Sequence, residues 1–311
     1  MPKIRTTLAF LLILAFSGSL LPLLAQDSAG KAPRVVFVGN SFFYGAGSAV
    51  RYYRAHTVTD LNGDGVGGVP ALFKALAAQA GHDFNVSLEL SGGKNFDWHL
   101  QNKADVIGRP WDVVIAAGYS TLDQQKPGDP TLLVTTAKQL AEFLHSKNPA
   151  VDIRLVATWS RADQTYPETG HWHGQPIEKM GLDVRAAYDS AAAGTPFIHA
   201  VIPVGEAFNR AIQTGVADPN PYDGIAFGQV DLWTTDHYHA STYGYYLEAL
   251  VIFGDLTGLD PRSFGKDERT AFELGMSAAQ AEALQKIAAD ELAATKGRAQ
   301  LKKFTPVALP K

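Results

Sequence analysis

Short runs of β-branched and aromatic residues alternate along this chain with longer stretches in which apolar positions recur every three or four residues. The runs at 34–38, 84–90, 112–117, 152–158 and 197–201 are apolar almost throughout. That pattern predicts strands covered on both faces, as in a parallel sheet. Stretches 69–80, 131–146, 177–193 and 205–213 carry the helical period and end in stop signals such as Gly81 and Gly194. The alternation predicts a three-layer α/β/α sandwich around an open, doubly wound, mostly parallel sheet. In such folds ligands bind beyond the carboxyl ends of the strands, and Gly39-Asn40-Ser41, Gly118-Tyr119-Ser120 and segment 158–163 fall at such ends. Downstream, 241–256 predicts an amphipathic helix and 258–266 a turn-rich connection. Stretch 277–295 places Leu284, Ile287, Ala288 and Leu292 on one face behind a Ser277/Gln280 capping box, so an added C-terminal helix packed on the domain is expected.

With 46% hydrophobic and 19% charged residues, the composition fits one large globular α/β domain rather than a disordered chain. The N-terminal stretch adds a targeting expectation. Lys3 and Arg5 precede an apolar run at 8–16 and another at 20–25, which reads as a signal peptide over 1–25 cleaved after Ala25. Ser17, Gly18, Ser19 and Pro22 interrupt the run before it reaches the roughly 20 residues of a membrane span. A secreted or periplasmic protein without stable membrane insertion is therefore expected, organised as a main domain over 31–262 and a C-terminal helical extension over 263–311. The net charge of −4, more negative once Lys3 and Arg5 are lost, argues against nucleic acid as a partner. The absence of cysteine excludes disulfides, lipoprotein attachment and a thiol nucleophile.

The candidate chemistry lies in two segments. Gly39-Asn40-Ser41 directly follows the first strand, and Asp236-His237-Tyr238-His239 lies far downstream. A serine hydroxyl is a weak nucleophile near neutral pH, so it needs a general base, and that base needs a third group to fix its tautomer. A three-residue offset within one turn presents Asp236 and His239 on the same side, with the carboxylate on Nδ1 and Nε2 free for the serine. Each segment alone is weak, because glycine and serine are common in turns and helix caps.

In their order these segments resemble the SGNH (GDSL-like) hydrolases. Gly39-Asn40-Ser41 is similar to that family's first block. Ser91-Gly92-Gly93 is similar to the glycine block, and Asp236-x-x-His239 followed by Ser241, Gly244, Tyr246 and Leu247 to the last; the resemblance covers roughly 34–258. It implies a flavodoxin-like sheet and a serine esterase that needs no cofactor. Ser41 would be the nucleophile, His239 the base and Asp236 its orienting acid. The N–H groups of Ser41 and Gly93, with Gly92 the alternative, would form the oxyanion hole. The third block departs from the pattern, since Ser120 stands where the family has asparagine. A hydroxyl is shorter than an amide and has one proton to donate, so Ser120 acts as the third donor, through a water if need be, or a side chain such as Gln124 replaces it. The substrate implied is a small-molecule or carbohydrate-borne acyl ester, acetyl included, and a secreted glycan-binding protein without turnover is the alternative.

Aromatic and polar residues around the expected site, Trp159, Asp163, Tyr166, His171, Trp172, His173 and His237, suit a substrate-facing rim that stacks on sugar rings. Two His-x-His pairs, His171/His173 and His237/His239, would each present both imidazoles on one side if extended. With Asp163 or Asp236 they define a competing metal-dependent hydrolase. The stretch Asp60-Leu61-Asn62-Gly63-Asp64-Gly65 resembles the opening of a calcium-binding loop, with Asp60, Asn62 and Asp64 as ligands of a structural calcium, but the twelfth position is Ala71 instead of an acid.

Overall fold

Alternate residues of the first strand, β1 (Arg34–Gly39), enter two different cores: Val35 and Phe37 join one, Val36 and Val38 the other. The strand belongs to a computed structural model in which residues 32–296 are described. The expected leader at 1–25 and the last residues of the C-terminal extension lie outside them. The period of two in the pleat makes this sorting automatic. It recurs in β4 (Val113–Ala116), where Val113 and Ile115 share the core of Phe37 while Val114 and Ala116 share that of Val38. A strand buried on both faces has no polar side, which is why these runs read as continuously apolar.

The other strands are β2 (Thr59–Asp60), β3 (Asn85–Leu90), β5 (Asp152–Val156) and β6 (Ile198–Ile202). They form one sheet in the order β2-β3-β1-β4-β5-β6, with each pairing parallel. Without the two-residue edge strand β2, this is the flavodoxin-like order, with its switch point between β1 and β4. The helices are α1 (Ser41–Tyr44), α2 (Gly68–Gln79), α3 (Phe96–Asn102), α4 (Ala104–Ile107), α5 (Thr131–Lys147), α6 (Ala162–Thr165), α7 (Glu178–Ala193), α8 (Val204–Gln213), α9 (Thr242–Thr257), α10 (Arg269–Glu273) and α11 (Ala278–Lys296). Helices α2, α8, α9 and α11 enclose the core around Phe37, and α3, α5 and α7 the core around Val38. The chain is thus a three-layer α/β/α sandwich.

Helix α9 follows directly on the Asp236 segment and fixes it in place. Its residues from Gly244 to Leu256 are buried almost without break, because α2, α8, α11 and the sheet surround it. Gly244 is required there, since a Cβ would lie 2.5 Å from the carbonyl of Leu232. Helix α11 packs on α9 through Leu284, Ile287, Ala288 and Leu292, which enter the same core. Its start is a reciprocal capping box: Gln280 N–H donates to Ser277 Oγ at 3.3 Å and Ser277 N–H to Gln280 Oε1 at 2.9 Å. Among the described residues, no helix is long and apolar enough to cross a membrane.

Candidate active site

The nucleophile candidate sits where β1 turns into α1. Asn40 caps that helix, its Oδ1 accepting the Phe42 N–H at 3.2 Å. Its Nδ2 donates to the carbonyls of Lys94 and Gly118, each at 3.0 Å, so one side chain ties together the loops that follow β1, β3 and β4. Ser41 is the first residue of the helix, where an N–H has no intrahelical acceptor. Phe42 and Phe43 are fully buried behind it. The short helix stops at Gly45, which takes the left-handed conformation (φ 76°). The Tyr245 hydroxyl, from α9, donates to the carbonyls of Ser41 and Ala46 at 3.2 and 3.3 Å.

The acid–base pair is closed. Asp236 Oδ2 lies 2.6 Å from His239 Nδ1, while Asp236 Oδ1 accepts from Thr234 Oγ1 at 2.7 Å and from the N–H groups of Tyr238 and His239 at 2.9 Å. Burial alone would raise the carboxyl pKa, but these donors outweigh it and hold it down to about 2. A carboxyl with a lower pKa in the folded chain than in the unfolded one stabilises the fold above the unfolded value and loses that contribution as pH falls through the folded one. From about pH 4 down to about pH 2, the melting temperature is therefore expected to fall more steeply for the wild type than for Asp236→Asn. Parallel profiles in a thermal-melt series would contradict this.

Nε2 of His239 is buried and has no hydrogen-bond partner among the described residues. The ring stacks on Tyr238 with centroids 3.9 Å apart, and the Tyr238 hydroxyl is within hydrogen-bonding reach of both Ser41 and Ser120. No direct hydrogen bond joins Ser41 and His239, whose ring lies 5.8 Å, centroid to centroid, from that of Phe42, the residue after Ser41.

Ser120, at the end of β4, is 2% exposed, and its oxygen accepts from Arg161 Nη1 at 3.3 Å. The Arg161 guanidinium carbon lies 3.5 Å from the centroid of the Tyr238 ring, and Asp163 holds the same group in a two-pronged pair with bonds of 2.9 and 2.6 Å. Burial would lower the guanidinium pKa, but Asp163 raises it, so the cation persists. Tyr238 is pushed up chiefly by burial and stays neutral. Neither Arg161 nor Tyr238 stood out in the sequence as a site residue; the one available signal was a lone arginine just past β5. Gln124 is exposed on its loop. Gly93 adopts a positive φ of 69° in the exposed turn after β3, and Gly92 lets the Tyr44 hydroxyl approach to 2.9 Å of where a Cβ would be.

Several expected rim residues are elsewhere. Trp159 is completely buried, stacked between Phe42 and Phe208, with its indole N–H donating to the Tyr238 carbonyl at 3.2 Å. Trp172 is buried in the opposite layer and donates to Asp183 Oδ2 at 2.9 Å. Both are core residues, and neither can stack on a substrate. Asp163 is engaged with Arg161. Tyr166 is half-buried, its hydroxyl donating to the Pro219 carbonyl at 2.7 Å. His171 and His173 are exposed in a turn, with His173 Nδ1 3.0 Å from the Tyr166 carbonyl. His237 packs beside Tyr222 with ring centroids 4.1 Å apart.

The metal readings meet a different local geometry. Neither His-x-His pair is extended: 171–173 form a turn and His237 is left-handed (φ 54°), so alternate imidazoles do not share a face. Among the described residues, no group of three or more histidines and carboxylates is placed to hold a metal. In the loop after β2, Asp60 spends both oxygens on the N–H groups of Asn62 and Val66, at 2.9 and 3.0 Å. Asn62 Oδ1 accepts from the Lys103 ammonium at 2.8 Å. The oxygens of Asp60 and Asn62 expected to ligate calcium are turned onto backbone donors and a cation, and Asp64 stands exposed. Excess chelator is accordingly expected to leave the melting temperature unchanged, and a clear drop would restore the calcium loop.

No family model and no curated protein matches the chain. Solved structures do. A DUF4886 family protein from Bacteroides uniformis is 17% identical with a TM-score of 0.56, over 90% of this chain and 100% of its own. A protein described as a GDSL-like lipase, from Parabacteroides merdae, is 16% identical with a TM-score of 0.50, over 73% of this chain and 96% of its own. The chain shares the fold of these two proteins.

Proposed function

We propose that this chain is an exported serine ester hydrolase that cleaves an acyl ester, acetyl included, borne by a small molecule or a carbohydrate. The observation that carries the reading is the closed Asp236–His239 pair, whose buried Nε2 is unpartnered and whose ring lies beside Phe42, the residue after Ser41 at the head of α1. Proton transfer requires Ser41 Oγ to come within hydrogen-bond reach of His239 Nε2; such contacts commonly tighten only when substrate is bound. Ser41 Oγ then attacks the ester carbonyl while Nε2 takes its proton, and Asp236 stabilises the imidazolium. The N–H groups of Ser41 and Gly93 and the hydroxyl of Ser120 receive the oxyanion. Arg161 donates to the Ser120 oxygen, so the one proton of that hydroxyl is the group that must turn to the substrate. Collapse expels the alcohol, which takes the proton from His239. Water, deprotonated by the same nitrogen, releases the acid and restores Ser41, so no cofactor is required.

Incubating the purified protein with an alkyl fluorophosphonate tests this directly, with the adduct expected on the peptide containing Ser41 by mass spectrometry. No adduct and no hydrolysis of p-nitrophenyl acetate would favour a glycan-binding protein with this fold.

A further inference from the structure

A pocket of about 470 Å³, within the range of small-ligand sites, is lined in part by Ser91, Gly92 and Lys94 of the turn after β3. Its walls include Tyr44, one helical turn beyond Ser41, and Trp98 of α3. Three cations line it, Arg51, Lys94 and Lys103, against one acid, Asp64. Among the described residues, none of the three cations has a carboxylate within salt-bridge distance, whereas Arg34, Arg54, Arg154, Arg161, Arg185 and Arg210 all do. The guanidinium of Arg51 lies 4.8 Å from the Tyr44 ring centroid and Lys94 Nζ 5.7 Å from that of Trp98, while Lys103 has the neutral Asn62 amide oxygen as its partner. The nearby acids make no ion pair with these cations. Asp60 is taken up by backbone N–H groups, and Glu89 is buried in a pair with His99. In a chain with a net charge of −4, such a concentration of unpaired cations marks where a negative group is received.

We infer that this pocket binds an anionic sugar, its carboxylate or sulfate held by Arg51, Lys94 and Lys103 and its ring lying against Trp98. Guanidinium and ammonium groups recognise such oxyanions through charge-assisted hydrogen bonds, and indole faces suit sugar rings. The carbonyl of Lys94 is held by Asn40, next to Ser41, so the pocket adjoins the proposed acyl site. A sugar seated there would present an ester on a neighbouring position or residue to Ser41. As a substrate subsite the pocket depends on the ester-hydrolase reading above; as a binding site it does not.

Calorimetric titration of the intact protein with tri-galacturonate, a sulfated galactotriose and neutral galactotriose separates the two. One or both anionic sugars are expected to bind about ten- to a hundred-fold more tightly than the neutral one, as one or two charge-assisted hydrogen bonds would give. Whichever binds tighter identifies the group. The preference is expected to vanish in Lys94→Met/Lys103→Met, and the single Lys94→Met, whose side chain is exposed, is expected to weaken it if the double variant fails to fold. Equal affinities for all three sugars, or a preference that survives in the folded double variant, would overturn the pocket. Hydrolysis of p-nitrophenyl acetate, measured in parallel, reports on the esterase reading alone.

Discussion

Ser41→Ala is expected to lower kcat for p-nitrophenyl acetate by about 10⁴- to 10⁶-fold while leaving the melting temperature close to wild type. The magnitude is that of removing a nucleophile whose base and acid act with it as a unit. His239→Ala should fall as far, and the double variant no further, because either change alone dismantles the same machine. Stability should hold because the serine's structural tasks here are done by its backbone: its carbonyl accepts from Tyr245, and Asn40, not Ser41, caps the helix. A Ser41→Ala protein that kept most of its turnover would end the nucleophile assignment, and the pair Asp236–His239 would need another partner.

Ser120→Ala is expected to cost about 10²- to 10³-fold in kcat with little change in KM, the loss seen when one oxyanion donor is removed. The split between the two constants follows because the oxyanion exists only after attack, so a donor aimed at it helps the transition state more than the bound ester. Arg161 makes this serine more than a short replacement for an amide. By donating to Ser120 Oγ it orients the hydroxyl, and its positive charge lies close to where negative charge would develop. Arg161→Met should therefore lower kcat too, but it also strands the Asp163 carboxylate and lowers the melting temperature, which Ser120→Ala should not. Wild-type kcat in a folded Ser120→Ala protein would mean that the oxyanion is received elsewhere.

The layers of the sandwich were legible because both-sided burial writes itself as unbroken apolar runs, as in 34–38 and 112–117. Long helices such as 131–146 carry enough turns for their period to show. The elements that escaped are short. β2 has two residues, and α3 and α4 too few turns for any period, yet α3 supplies Trp98 to the basic pocket. Within the site, the residues at strand ends were visible as a set, but which way each side chain points was not. Trp159 and Asp163 lie four positions apart at the end of β5; one is sealed beneath Phe42 and the other reaches Arg161. Tyr238 occupies an unassigned position between His237 and His239 in the motif, because nothing in a sequence reveals that its ring would stack on His239 and lie under the Arg161 guanidinium. In the loop at 60–65, alternate oxygen-bearing side chains suit a cation, while the lysine at 103 that donates to the asparagine oxygen lies too far along the chain to be read with it.

The Tyr245 hydroxyl bridges to Ser41 across 204 residues of chain, and the segment that brings His239 is anchored by the same helix. Synthesis therefore delivers the nucleophile early and its partner late. On the proposed mechanism, a nascent or truncated chain ending anywhere before residue 231 carries Ser41 without His239 to activate it, and should show no hydrolysis.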